Sequence, residues 1–293
     1  MIVVTTPTGK IGSQVVKGLL DAGETVRVIV RDGGKLAPEI RERVEVVEGS
    51  HDDVATVAKA TEGAESFFLL VPPSFTTKDG LAYYLGFTTP LIEAIKSGSV
   101  KRVVAVSASG RNVPMRAGVV SDSHAKDEAI EKTGVAFRAL WCPGFYENML
   151  RQLGAIKNQG AFFQPGVPDL KTRHCATRDI AAQAVKLLTD RSWSGQGGVG
   201  VFGPEDLSFN EIAAIMTDVL RMPVRFQPVP YEAYKAQLVQ YGASEEFAES
   251  LVEMHEAKDK GLDNEEPRTA ENTTPTSFRE WCEDVLKPAV EAA

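Results

Sequence analysis

The stretch "IVVTTPTGKIGSQVVKGLLDAG", residues 2–23, decides the fold. Residues 2–6 are β-rich, residues 13–23 place apolar side chains at helical spacing, and Gly23 is suited to end a helix. Between them lies "TTPTGKIG", with Gly9 and Gly12 directly before the helix. Because a strand, a glycine-containing turn and a helix in this order present free N–H groups to a phosphate, the stretch predicts a dinucleotide loop.

The turn departs from the usual glycine-rich pattern at one position, where Thr6 replaces the first glycine. Pro7 can fix a turn that glycine would otherwise permit, and Thr8 can donate a hydroxyl to phosphate. A Walker A loop is excluded, because Ile11 follows "GK" where that motif requires Ser or Thr. The alternative is a strand–turn–helix without a ligand.

The strand–helix alternation continues outward from this stretch. Strand-like runs are "TVRVIV", "VEVV", "SFFLLV", "VKRVVAVSAS" and "VAFRALW", and helix-like segments separate most of them. Near-continuous apolar runs are typical of parallel strands that helices cover on both faces. We therefore predict an α/β fold, with a Rossmann-type doubly wound parallel sheet and a smaller, mostly helical C-terminal substrate domain.

We place the NAD(P)-binding domain at residues 1–150 and the smaller substrate-binding part at residues 151–293. In the second part, the segment near 199–203 is expected to return to the sheet. Residues 262–277, "LDNEEPRTAENTTPTS", are predicted to form a solvated loop. Pro90 is expected to kink its helix or to start a new one.

Composition excludes several classes of protein. The formal charge is −8 and no basic run is present, so no nucleic-acid partner is expected. No apolar run approaches the roughly 20 residues needed to cross a bilayer, and no signal peptide is apparent, so no membrane partner and a cytoplasmic location are expected. The three cysteines and four histidines show no metal-ligand spacing, so no metal is expected.

The end of the second predicted strand indicates which cofactor binds. There an acidic residue would hold the ribose 2′-hydroxyl of NAD, whereas arginine accommodates the 2′-phosphate of NADP. Arg31 follows the apolar run directly, Asp32 comes next, and Lys35 is close enough to help. The sequence therefore favours NADP(H) over NAD(H), although a solvated charge at the end of a strand is the alternative explanation of Arg31.

With these segments placed, the chain resembles the NmrA-like family of atypical short-chain dehydrogenases/reductases. The resemblance covers nearly the whole chain. It rests on "TTPTGKIG", "VIVRD", "VEGSHDDVATVAKATEGAESFFLLVPP", "EKTGVAFRALWCPGFYENML", "TRDIAAQAVKLL", "FGPEDLSFNEIA", "MPVRFQPVPYEAY" and "PTSFREW". The family includes NADPH-dependent quinone and triphenylmethane-dye reductases, and also redox-sensing regulators that bind the cofactor without turning it over.

The resemblance implies three groups of cofactor contacts. They are the phosphate loop at Thr6, Thr8, Gly9, Lys10, Ile11 and Gly12, the 2′-phosphate clamp at Arg31 and Lys35, and the adenine, ribose and nicotinamide walls at Leu70, Val71, Pro72, Ser107, Pro143 and Phe145. The chain departs from the family pattern in three places. Thr6 replaces glycine, Ser50 replaces an aspartate that reaches adenine (Asp52 could substitute), and Trp141-Cys142 replaces Arg-Pro.

No conventional catalytic pair is apparent. The Tyr-x3-Lys pair of the wider superfamily is missing from the helix before "TGV", and we attribute the same spacing at Tyr231 and Lys235 to chance. Hydride transfer from NADPH needs mainly an acceptor stacked on the nicotinamide. His124 could then supply a proton, and Tyr146 could hydrogen-bond the acceptor.

An apolar acceptor pocket is expected between the two parts of the chain. Its candidate walls are Phe75, Tyr83, Tyr84, Phe87, Phe145, Phe162 and Phe163. One hypothesis is an NADPH-dependent reductase of a planar small-molecule acceptor such as a quinone or dye. The other is a non-catalytic NADP(H) redox sensor that acts through a protein partner, and the sequence leaves a homodimer open as well.

Overall fold

The structure is a computed structural model that describes every residue from Met1 to Ala293. The strands are β1 Ile2–Thr5, β2 Val26–Val30, β3 Glu45–Glu48, β4 Ser66–Leu69, β5 Arg102–Ala108, β6 Ala136–Cys142, β7 Gly144–Phe145, β8 Ala161–Gln164, β9 Thr172–Cys175, β10 Gln196–Gly200, β11 Asp206–Leu207 and β12 Arg225–Pro228.

The helices are α1 Gly12–Asp21, α2 Pro38–Arg41, α3 Val54–Thr61, α4 Gly80–Lys96, α5 Val119–Glu131, α6 Leu153–Gln159, α7 Thr177–Thr189, α8 Phe209–Leu220, α9 Tyr231–Gln240, α10 Glu245–Asp259, α11 Phe278–Trp281 and α12 Lys287–Ala292. Short 3-10 turns cover Gly33–Lys35, Tyr146–Gln152 and Leu262–Asn264, and a π turn covers Cys282–Leu286.

The core of the fold is a sheet of seven parallel strands in the order β10-β6-β5-β4-β1-β2-β3. The strand order reverses between β1 and β4, whose residues are all buried. Ligands of doubly wound sheets bind at such a reversal, in the crevice outside the carboxyl ends of the strands. The predicted Rossmann-type fold is confirmed.

Helices cover both faces of the sheet, which explains why its strands are so apolar. On one face, α1 and α7 bury residues such as Val15, Leu19 and Ile180 against β1, β2 and β6. Gly18 lets these two helices approach closely, because a Cβ there would lie 2.8 Å from Cγ2 of Val185. On the other face, α3, α4 and α5 bury residues such as Phe87.

A third core belongs to the C-terminal part of the chain, where α8, α11 and the π turn pack together. Its largest side chains include Tyr146, Phe162 and Trp281, all almost completely buried. The chain nevertheless returns to the main sheet, because β10 pairs in parallel with β6 and begins at Gln196, three residues before the expected segment near 199–203. The two halves are therefore interlaced rather than simply consecutive.

Helix α4 continues unbroken through Pro90, so the expected new start is not present. The hydroxyls of Thr88 and Thr89 donate to the carbonyls of Tyr84 and Leu85, 2.7 and 2.9 Å away. Pro90 removes the N–H donor that the carbonyl of Gly86 would otherwise receive, and the two threonine hydroxyls bond to the carbonyls of the two residues before Gly86.

Residues 262–277, called the C-terminal strap below, are only in part the solvated loop that their polar composition predicts: seven of the sixteen residues are exposed and four are buried. Asp263, Glu266 and Thr276 in the strap are buried. Glu266 accepts hydrogen bonds from the N–H groups of Gly110 and Arg111, at 2.8 and 3.3 Å. The carboxylate of Glu266 therefore satisfies backbone donors of the sheet domain instead of facing water.

None of the helices combines the length and the apolar composition that crossing a membrane requires.

The contact between the strap and α7 gives a stability prediction. Asp179 accepts from the N–H and the hydroxyl of Thr276, at 3.2 and 2.8 Å, and is buried. Asp179→Ala leaves two buried donors without a partner, so we expect a loss of about 2–4 kcal/mol in the free energy of unfolding, measured by urea denaturation.

Glu280→Ala is the matched control, because Glu280 forms an exposed pair with the neighbouring Arg178 at 3.0 Å. Its loss should stay below about 1 kcal/mol. Similar losses in both variants would contradict the assignment of Asp179 as a buried anchor.

Candidate functional site

The turn after β1 is tight and places a non-glycine residue in the left-handed region. Thr6 has φ +50°, and its carbonyl accepts the N–H of Gly9 at 3.0 Å. A non-glycine residue in this region pays a steric cost of roughly 1–2 kcal/mol. Thr6 therefore adopts the left-handed conformation for which glycine is usually needed. The replacement of glycine does not lead to a different kind of turn. The hydroxyl of Thr6 is buried and has no partner in the protein.

Helix α1 begins directly under this turn. A Cβ on Gly12 would lie 2.1 Å from the carbonyl oxygen of Thr6, so only glycine fits there. No side chain caps the helix. The N–H of Ser13 donates to the carbonyl of Gly9 at 3.0 Å, whereas the N–H groups of Gly12 and Gln14 make no hydrogen bond and stay available to an anion. Thr8 and Lys10 are exposed at the rim of the loop, whereas Ile11 is buried beneath it.

The end of β2 presents an unpaired cation. Arg27, earlier on the strand, pairs with Glu45 at 2.7 Å, whereas Arg31 is exposed and has no carboxylate within 4.0 Å. Asp32 is turned away, since its carboxylate accepts the N–H of Gly34 at 2.9 Å and caps the following 3-10 turn. That turn ends at the exposed Lys35. Both cations of this corner are therefore exposed and free of ion pairs, whereas its carboxylates, Asp32 and Glu48, accept the N–H groups of Gly34 and Gly33.

The segment after β3 holds the position that the resemblance assigns to an adenine-binding aspartate. Ser50 lies there, and Asp53 cannot replace it because its carboxylate caps α3 at 2.7 Å from the N–H of Thr56. Asp52 is exposed and makes no hydrogen bond through its side chain. His51 packs 4.5 Å from the ring of Phe87, and burial lowers the pKa of His51 to about 4.

A buried hydroxyl joins the turn to the neighbouring strand. Thr5 donates to the carbonyl of Phe68 at 3.1 Å and accepts the N–H of Leu70 at 2.9 Å. Leu70 in turn lines a cavity of about 480 Å³, called the central cavity below. The central cavity lies between the carboxyl ends of β4, β5 and β6 and the helices α9 and α10. The turn and the cavity therefore adjoin at the reversal of strand order.

The structure brings five of the predicted wall residues together in the central cavity. They are Leu70, Val71, Ser107, Pro143 and Phe145. Pro72 instead lines a smaller side cleft of about 180 Å³. Of the predicted aromatic walls, Tyr84, Phe145 and Phe163 line the central cavity, and Phe75, Tyr83 and again Tyr84 line the side cleft. Phe87 and Phe162 belong to the cores.

Behind Ser107 lies a buried polar group. The hydroxyl of Ser107 donates to the carboxylate of Asp127, which is fully buried. Lys126 Nζ lies 2.9 Å from the other oxygen of that carboxylate and donates to the carbonyl of Val106 at 2.7 Å. Because its proton is directed to Asp127, Ser107 presents its oxygen lone pairs to the cavity, where they can accept a hydrogen bond.

The two predicted catalytic residues do not line the central cavity. His124 is buried on α5 with Nε2 3.0 Å from the carbonyl of Ala108, and burial lowers its pKa. Tyr146 is buried in the C-terminal core against Phe278 and Trp281, where burial raises its pKa. We therefore assign neither residue a contact with an acceptor.

Sequence reasoning missed three residues that do line the cavity: Arg151, Tyr234 and His255. Tyr234 and His255 come from α9 and α10, about a hundred residues beyond the last sheet strand of the predicted nucleotide domain. Neither helix has a pronounced apolar face, so no periodic signal marks the side that faces the cavity. Only the tertiary fold brings these side chains to the sheet.

Comparison with known proteins identifies the family of the chain. The chain belongs to the NmrA-like family, whose model matches residues 1–282. A relative from Xenophilus azovorans, named NAD(P)H azoreductase, is 29% identical over 259 residues, which cover 87% of this chain and 86% of that protein. The resemblance inferred from the sequence is confirmed.

Two solved structures are similar over nearly their whole length. The triphenylmethane reductase of Citrobacter sp., solved with NADP(H), has a TM-score of 0.80 at 21% identity and covers 100% of both chains. An NADPH-dependent quinone oxidoreductase of Escherichia coli, solved with NADPH, has a TM-score of 0.80 at 20% identity and covers 98% of this chain and 100% of that one. At these identities the likeness establishes the fold.

The tight turn gives a second prediction. Gly12→Ala forces the new Cβ against the carbonyl of Thr6, so we expect a loss of about 1–3 kcal/mol in the free energy of unfolding. Gly9→Ala is the matched control, because its Cβ would lie 3.3 Å from the same oxygen and a small shift accommodates it. Urea unfolding of both variants is the measurement. Equal stabilities would show that the helix can move away from the turn.

Proposed function

We propose that the chain binds NADP(H) along the β1–α1 turn, with the pyrophosphate at the start of α1. Three observations support this fit: the space that Gly12 leaves under Thr6, the uncapped first turn of α1, and the exposed, unpaired Arg31. In this proposal Arg31 and Lys35 hold the 2′-phosphate. Asp32 caps a turn instead of accepting a ribose hydroxyl, which favours NADP(H) over NAD(H).

We further propose that the protein is an NADPH-dependent reductase of a planar acceptor such as a quinone or dye. The bound nicotinamide would supply a hydride, and a proton from water would complete the reduced acceptor. The observation that carries the proposal is the central cavity, which opens at the reversal of strand order next to the nucleotide turn. The reductases named among the relative and the structural neighbours support the same reaction class.

The residues of this chain would orient the reactants rather than exchange protons with them. Pro143, Phe145 and Leu70 give the nicotinamide side of the cavity an apolar wall, against which flat rings can stack. Ser107 can accept a hydrogen bond from the nicotinamide amide, because the hydroxyl of Ser107 donates its proton to the carboxylate of Asp127. Such positioning lowers the entropic part of the barrier to hydride transfer without a general acid.

Arg31→Ala tests the cofactor assignment. Removing a charge-assisted contact to the 2′-phosphate should weaken NADPH binding about tenfold to a hundredfold and leave the affinity for NADH within about threefold. Nucleotide fluorescence titration is the measurement. Arg41→Ala is the control, because Arg41 is another exposed arginine, at the end of α2, and this variant should bind NADPH as the wild type does.

Acceptor-dependent oxidation of NADPH tests the reaction. Saturable turnover with a quinone or an azo or triphenylmethane dye is the expected result. Tight binding of NADPH without turnover on any of these acceptors would reject the reductase and favour a redox sensor that needs a protein partner. Absence of binding by either nucleotide would reject the nucleotide site itself.

A further inference from the structure

The apolar wall of the central cavity that Leu70, Pro143 and Phe145 form is called the apolar shelf below. Another part of the lining is rich in hydrogen-bond donors without partners. Arg151, Tyr234 and His255, called the donor cluster below, all belong to this part of the lining. The ring of His255 stands edge-on to that of Tyr234, with centroids 5.3 Å apart. None of the three side chains makes a polar contact with the protein, although Arg151 stacks on the ring of Phe75 at 5.6 Å.

The acidic groups of the cavity, in contrast, are already engaged. Asp263 accepts from Lys258 and from the hydroxyl of Ser109, and Asp259 accepts from the hydroxyl of Tyr231. The cavity therefore offers free donors, whereas both of its carboxylates already have partners, and its remaining acceptors are neutral groups such as Ser107, Asn148 and Gln164. A ligand that carries hydrogen-bond acceptors can pair with the free donors and with the charge of Arg151, whereas a cationic ligand finds no free carboxylate.

Burial keeps the imidazole of this cluster neutral. It lowers the pKa of His255 to about 4, and the charge of Lys258 adds to the effect. At neutral pH the ring consequently offers one N–H donor, which suits a carbonyl oxygen. Neither ring nitrogen has a hydrogen-bond partner in the protein, and the side chain lines the cavity, so this donor is free to bond a ligand there.

The cluster also lies near the reacting end of the proposed cofactor site. Helix α10 is held against α5 by a small apolar group of Ala117, Val120, Ala257 and Leu262. Met254, the residue before His255, and Ala108, the residue after Ser107, both pack on this group. An acceptor stacked between the apolar shelf and α10 therefore has its edge within reach of the donor cluster.

We propose that Arg151, Tyr234 and His255 select flat acceptors that carry carbonyl or anionic oxygens, as quinones do, over cationic dyes without oxygen. The proposal rests on the proposed reductase function and narrows its substrate class. The three residues are specificity-determining contacts, and the hydride and proton steps do not depend on them.

Binding of two probes in the presence of NADP⁺, which cannot supply a hydride, tests the selection. Anthraquinone-2-sulfonate carries carbonyls and a negative charge, and malachite green is a cation without oxygen. His255→Phe, Tyr234→Phe and Arg151→Ala should each weaken anthraquinone-2-sulfonate about tenfold and change malachite green less than about twofold. His255→Gln, which keeps an N–H donor, should recover most of the affinity.

Tyr241→Phe is the control for Tyr234→Phe, because Tyr241 is 77% exposed and lies outside the cavity. It should bind both probes as the wild type does. Equal weakening of both probes, unchanged binding of anthraquinone-2-sulfonate, or failure of His255→Gln to differ from His255→Phe would each overturn the selection. Failure of the reductase function has a different signature, since NADPH would then bind without being oxidised by any quinone or dye, whatever the affinities for the two probes.

Discussion

The site depends on the steric constraint at the turn between β1 and α1. The carbonyl of Thr6 accepts the N–H of Gly9 and occupies the space that a side chain at position 12 would need. This allows α1 to begin immediately below the end of β1, with the N–H groups of Gly12 and Gln14 free of partners. One residue earlier, the hydroxyl of Thr5 ties the same turn to Leu70 and hence to the wall of the central cavity. Backbone packing at a handful of positions thus fixes where a nucleotide and an acceptor can meet.

The parts of this arrangement that were predictable from sequence depend on local chemistry. The turn, the buried strands and Arg31 are each specified by residues close together in the chain, and the periodicity of the segments reports burial directly. Even the departure at Thr6 could be located, although its left-handed conformation could not, because proline at position 7 permits several turns. The order of the strands then follows from general rules of βαβ connection.

The features that could not be predicted from the sequence depend on contacts between residues far apart in the chain. Tyr146 directly follows the strand segment that lines the cavity, yet the phenol turns into a core built from residues beyond 200. The strap has a polar sequence, yet Glu266 within it is buried, because its carboxylate accepts from the backbone N–H groups of residues 110 and 111. His255 and Tyr234 have no local pattern that marks them as cavity residues, and only the packing of α10 on α5 brings them there. Composition alone cannot distinguish a solvated polar side chain from one that satisfies a distant partner.

The return of the chain to the main sheet limits how the molecule can be divided. Strand β10 covers the outer edge of β6, and α7 packs on α1 through the close approach at Gly18. A fragment cut after residue 150 would therefore leave a bare sheet edge and an uncovered apolar helix face, both of which promote aggregation. The complementary fragment would lack the strands on which α7 rests. The nucleotide site and the proposed acceptor site accordingly depend on the same intact fold, so a fragment of the chain is not expected to carry either of them alone.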